Sequence, residues 1–183
     1  MSAVAEILAA LNLDDLRAGR HIVRDSRRWK TGELCVDGVW VAKVEPSFHP
    51  HCALGVSREK ERVRAAFSCG PASEGSNQGI FTTMVERSIE WDDPVATILR
   101  KADLFELSGG ISLDGIGYEI QVRTLASETT ISFFNPTTNL LVSLERALIE
   151  LATEISRSHE NENQQEYVEN VWMGYSSGRT PNE

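Results

Sequence analysis

The chain has 183 residues, 41% hydrophobic and 25% charged, with 27 acidic against 18 basic side chains and a formal net charge of −9. That length and composition suit one globular domain whose core needs no metal or disulfide staple, and they exclude wholesale disorder. The acidic balance argues against a protein that coats nucleic acid, and no apolar run approaches the roughly 20 residues needed to span a bilayer.

Residues 2–17 predict an amphipathic helix, with Val4, Ile7, Leu8, Leu11 and Leu16 on one side and Gly19 as its stop. This start lacks a basic region and carries Glu6, so it reads as structure rather than a targeting signal, and a cytoplasmic location is expected. A basic run follows at Arg17, Arg20, Arg24, Arg27, Arg28 and Lys30, with Trp29 inside it. Leu34 and Val36 precede Asp37-Gly38, and Val39, Trp40, Val41 and Val44 follow. The pattern predicts a hairpin with strands at 33–36 and 39–44, because Asp-Gly tolerates the positive φ angles of a two-residue turn. Residues 57–67 fit either a charged helix start or a strand. Residues 68–79, with Gly70, Pro71, Gly75 and Gly79, read as a loop, and 80–91 as extended chain.

Asp92-Asp93-Pro94 predicts a helix start running to about Ala102, because Asp93 accepts a free amide proton and Pro94 has its φ preset. Gly109 to Gly117 punctuate the next stretch, and Asp114-Gly115 suggests a turn. Tyr118, Ile120 and Val122, then Ile131 and Phe133, alternate with polar residues and predict a second hairpin. Asn135-Pro136 repeats the cap pattern ahead of Leu141, Leu144, Leu148, Leu151 and Ile155, whose spacing predicts a long helix over 136–157. The domain is expected to occupy 1–157, with 158–183 a polar tail in which Val168, Val171, Trp172 and Tyr175 can dock and 176–183 fray. The fold class is α+β: an antiparallel sheet built from hairpins, covered on one face by helices including the long C-terminal one.

Few residues carry recognisable chemistry. His49, His51 and Cys52 are zinc-ligand or nucleophile types, but no second ligand pair stands at zinc spacing. No metal, cofactor or catalytic residue is therefore expected, and a small enzyme or ligand pocket near these three residues is the alternative. Three cysteines, an odd number, read as reduced thiols. The glycines from Gly109 to Gly117 match no phosphate-binding loop. Residues 1–70 carry 11 basic and 9 acidic side chains, and 71–183 carry 7 and 18, so the charge is uneven along the chain.

The run from Gly115 to Ile155 passes from Gly117-Tyr118-Glu119-Ile120 through Phe133-Phe134-Asn135-Pro136 into the Leu-rich helix. In architecture, the chain resembles small bacterial immunity proteins that neutralise secreted toxins. The resemblance implies a non-catalytic protein-binding module acting on a basic toxin in the cytoplasm. Glu86, Glu90, Trp91, Asp92 and Asp93 are the candidate partner surface: an aromatic anchor among carboxylates that steer a basic protein.

Overall fold

The computed structural model of the protein describes residues 2–25, 30–72, 79–101 and 115–176. The first helix, α1 (Ala3–Ala10), is capped by the Ser2 hydroxyl, which accepts from the Ala5 amide. It ends earlier than Gly19. Asn12 takes a left-handed φ of 58°, and the Leu13 amide reaches back to the Leu8 carbonyl at 2.8 Å, which closes the helix where Asn serves in place of Gly.

Seven antiparallel strands follow: β1 (Gly19–Asp25), β2 (Lys30–Pro46), β3 (Cys52–Glu59), β4 (Arg62–Cys69), β5 (Phe81–Ser88), β6 (Ile116–Thr124) and β7 (Glu128–Phe134). They form one sheet in the order β5-β4-β3-β2-β6-β7, with β1 paired to the first half of β2. Val36 faces Gly19 on one side and Glu59 on the other, so β1 extends the line of β6 beyond its end.

Asp37-Gly38 is not a hairpin turn. It sits inside the single long strand β2, where the register shifts between Val36 and Gly38. The extra residue reverses the alternation. Leu34 and Val36 therefore share a face with Val39 and Val41, while Trp40, Ala42 and Val44 turn to the other. Hairpins form instead at β1–β2 and β2–β3, and residues 57–67 resolve as the β3–β4 hairpin.

Helices cover both faces, not one. Ile7 and Leu11 of α1 are fully buried against Val36, Val41, Ala53 and Ala66. Gly55 permits this approach, since a Cβ there would lie 2.5 Å from Ile7 Cγ2. The opposite face carries the larger core under α2 (Pro94–Lys101) and α3 (Asn139–Ser158). Helix α3 starts after Thr138, whose hydroxyl accepts from Leu141, rather than at Asn135-Pro136. Asn135 is at a φ of 44°, and its side-chain oxygen accepts from the Ile116 amide, so it closes the end of the β6–β7 pair instead.

From residue 158 to 176 the chain is no frayed tail but docks on the core. Helix α4 (Glu162–Glu166) runs into a π-helical stretch, Tyr167–Trp172, and a last turn, α5 (Met173–Ser176). Gln164, Tyr167, Val168, Val171 and Trp172 are all buried. The Trp172 indole donates to the Tyr118 hydroxyl at 2.9 Å, and that hydroxyl donates to the buried Glu145 carboxylate at 2.5 Å. Val168, Val171 and Trp172 are the apolar residues expected to allow docking, and Gln164 and Tyr167 join them. Residues 177–183 lie outside the described residues, as does Asp114 of the suggested turn.

Candidate binding pocket

Asp93 and Trp40 meet across 53 positions of sequence. One Asp93 oxygen caps α2, accepting from the Val95 and Ala96 amides at 3.0 and 3.1 Å. The other accepts from the Trp40 indole at 2.6 Å. Burial pushes the Asp93 carboxyl above its ordinary range, and the indole and helix amides hold it back. This contact pins the start of α2 to the middle of the sheet.

Beside it the α3 face is hollow. A pocket of about 370 Å³ opens between the sheet and α2, within the size range of small-molecule sites, roughly 300–1,000 Å³. Val56, Val63, Val122 and Ile131 form its floor, Ala96 and Leu99 of α2 its roof, and Trp91 one wall. Arg58, Arg100 and Arg123 also line it. The Arg58 guanidinium donates to the Ile89 carbonyl at 2.5 Å, and Arg100 donates to the Ala96 carbonyl and the Thr97 hydroxyl, both at 3.1 Å. Arg123 pairs with the exposed Glu128. Leu125, 68% exposed, sits on the β6–β7 turn at the rim.

The five residues of the expected acidic surface do not share one site. Trp91, half-buried, and Asp93, buried, line the pocket. Glu90 and Asp92 are exposed beside them, and Asp92 accepts from the Thr97 hydroxyl at 2.9 Å. Glu86 points to the α1 face. There it pairs with Arg62 and Arg64 at 3.2 and 3.4 Å, and Arg64 in turn donates to the Leu11 carbonyl.

His49 and His51 lie in the loop between β2 and β3, and Cys52 opens β3, four residues along the strand from Val56, or about 13 Å. Each has a different neighbour. His49 meets the Tyr175 ring edge-on at 6.0 Å, His51 is exposed 3.5 Å from Glu45, and Cys52 is buried directly opposite Cys69. Burial holds the Cys52 thiol well above its ordinary range and raises Cys69 to about 12, so neither is a poised thiolate. Among the described residues, Asp14, Asp15 and His21 bring ligand-type atoms within 4.8 Å of one another. There His21 Nδ1 faces Asp14 at 2.5 Å and Nε2 faces the Arg17 carbonyl at 3.0 Å, so both ring nitrogens are engaged. Arg17 of the basic run is itself paired with Asp14 and Asp15 at 3.2 and 3.1 Å, and Arg27, Arg28 and Trp29 lie outside the described residues.

Trp40 and Arg58 are pocket residues that sequence reasoning missed, whereas Arg123 meets the pocket only at its backbone, its side chain lying with Glu128 on the α1 face. The reversed alternation around Asp37-Gly38 was the available signal, since a bulge rather than a turn carries Trp40 onto the α3 face. Neither a protein-family model nor a curated protein sequence gives a significant match to the chain. No described helix is long and apolar enough to cross a membrane.

Proposed function

We propose that the protein is a non-catalytic binding protein and that the pocket beneath α2 is where it binds. The observation that carries this reading is an open apolar cavity whose described lining holds no histidine, cysteine or lysine. Its one carboxylate, Asp93, already spends both oxygens on the α2 amides and the Trp40 indole. General acid–base or nucleophilic chemistry needs a reactive group within reach of a second one, and this lining offers grip instead. The test is titration with phenylnaphthylamine, a neutral dye that brightens in apolar surroundings. Saturation at one dye per chain is expected, lost in Ala96→Trp, which fills the pocket from the roof while the melting temperature holds. Dye binding unchanged in that variant would place the site elsewhere.

A second reading gives the same rim to a protein partner, as in an immunity-type neutraliser of a basic toxin. Exposed Leu125 and half-buried Trp91 flank the pocket mouth, with Glu90 and Asp92 beside them. That combination of apolar anchors and flanking carboxylates suits a partner carrying both apolar and basic side chains.

A further inference from the structure

We propose that the pocket takes a free amphipathic monoanion, with an apolar chain or ring filling the cavity and a carboxylate or sulfonate held by Arg58 and Arg100. This inference rests on the pocket being the binding site and adds the chemical class of its occupant.

Inside the pocket the balance differs from that of the chain, which is acidic at −9: the side chains on the α3 face include two arginines, Arg58 and Arg100, and one carboxylate, Asp93. That carboxylate is turned to Trp40 and the α2 amides.

The arginines also differ from others on the same sheet. Arg62 pairs with Glu59 and Glu86, Arg64 with Glu59 and Glu86, and Arg87 with Glu154. Among the described residues, Arg58 and Arg100 have no carboxylate within ion-pair distance and hydrogen-bond to neutral acceptors. A guanidinium offers five N–H donors, so both retain donors for a ligand. Arg123 does not join them, because its side chain is paired with Glu128 on the opposite face of the sheet.

The floor selects the rest of the ligand. Val56, Val63, Val122 and Ile131 offer contact and no hydrogen bonds from their side chains. Bare phosphate would leave them wet, and a sugar phosphate would press unpaired hydroxyls against valines, which burial disfavours. A neutral apolar molecule would fill the floor but leave the guanidinium groups to water. An apolar anion satisfies both parts, with a charge-assisted bidentate contact at the mouth.

The test is calorimetric titration of the full chain with decanoate, decanol and decyltrimethylammonium, three probes sharing one chain and differing in head charge. Decanoate should bind at least about tenfold more tightly than either of the others. Added salt should weaken decanoate and leave decanol unchanged. Arg100→Glu, at an exposed position that should not disturb folding, should lower decanoate affinity about five- to tenfold and spare decanol. Arg58→Gln should do the same if its melting temperature is kept. Equal binding of decanoate and decanol, or an unaltered preference in Arg100→Glu, overturns the anion assignment while the binding pocket stands. Failure of all three probes, together with failure of the neutral dye, overturns the pocket itself.

Discussion

The two ends of the α3 face are built from the same strands and finish in opposite ways. At one end Cys52, Phe67, Cys69 and Tyr118 are sealed by Tyr167 and Trp172, both with no exposed surface. The Phe67 and Trp172 rings lie 6.3 Å apart, and Tyr118 stacks on Phe133 at 4.7 Å. At the other end Trp40, Val56, Val63 and Ile131 face an open pocket. The difference comes from what each cover brings. The C-terminal segment supplies two large rings with satisfied polar tips, whereas α2 turns Ala96 and Leu99 to the sheet and leaves space. A hollow of this size is a departure from the close packing of protein interiors, and its volume lies within the range of small-molecule sites.

The largest effect should come from loosening the sealed end. Leu148→Ala removes a fully buried side chain in the middle of α3, and urea unfolding should show a loss of about 2–5 kcal/mol. A loss under about 1 kcal/mol would mean that α3 can collapse onto the vacancy and that this end is less tightly packed than described. Next is Asp93→Ala at the open end, which removes the α2 cap and orphans the buried Trp40 indole. About 2–3 kcal/mol should be lost, the cap accounting for about 1 and the unpaired donor for the rest. Asp93→Asn should recover mainly the cap portion, because its amide can still accept from Val95 but offers a donor to the indole.

The last prediction carries no stability change. Thiol reagent at neutral pH should modify Cys35, which is exposed, and reach Cys52 and Cys69 only on unfolding. Their buried thiols, with Cys69 raised to about 12, stay protonated and out of reach. Rapid modification of all three in the folded protein would show that the sealed end opens.

Some of the candidate site was legible in residue order. Asp93 was identifiable as a cap from Asp92-Asp93-Pro94. What escaped was its connection to Trp40, because a bond spanning 53 positions leaves no local trace. Arg58 also escaped, since an arginine on a strand reads as solvated until its neighbours are known. Glu86 shows the converse. Alternation over 80–91 groups it with Glu90 on one face, but β5 ends at Ser88, so Glu86 alone stays against Arg64 on the far face while Glu90 lies beyond the strand.

The order of residues determined the α+β class, the β6–β7 hairpin, the start of α2 and the apolar stripe of α3. These depend on periodicity and on caps, which act within a few residues. The tertiary structure alone decided that Asp37-Gly38 is a bulge, that helices cover both faces, and that Tyr167 and Gln164 join the docked C-terminal segment. A bulge and a turn use the same residues and differ only in which strands lie alongside, and β2 is held straight by β3 on one side and by β1 and β6 on the other. Docking likewise depends on a surface assembled from distant strands, so the energy that orders the segment exists only once the sheet is formed.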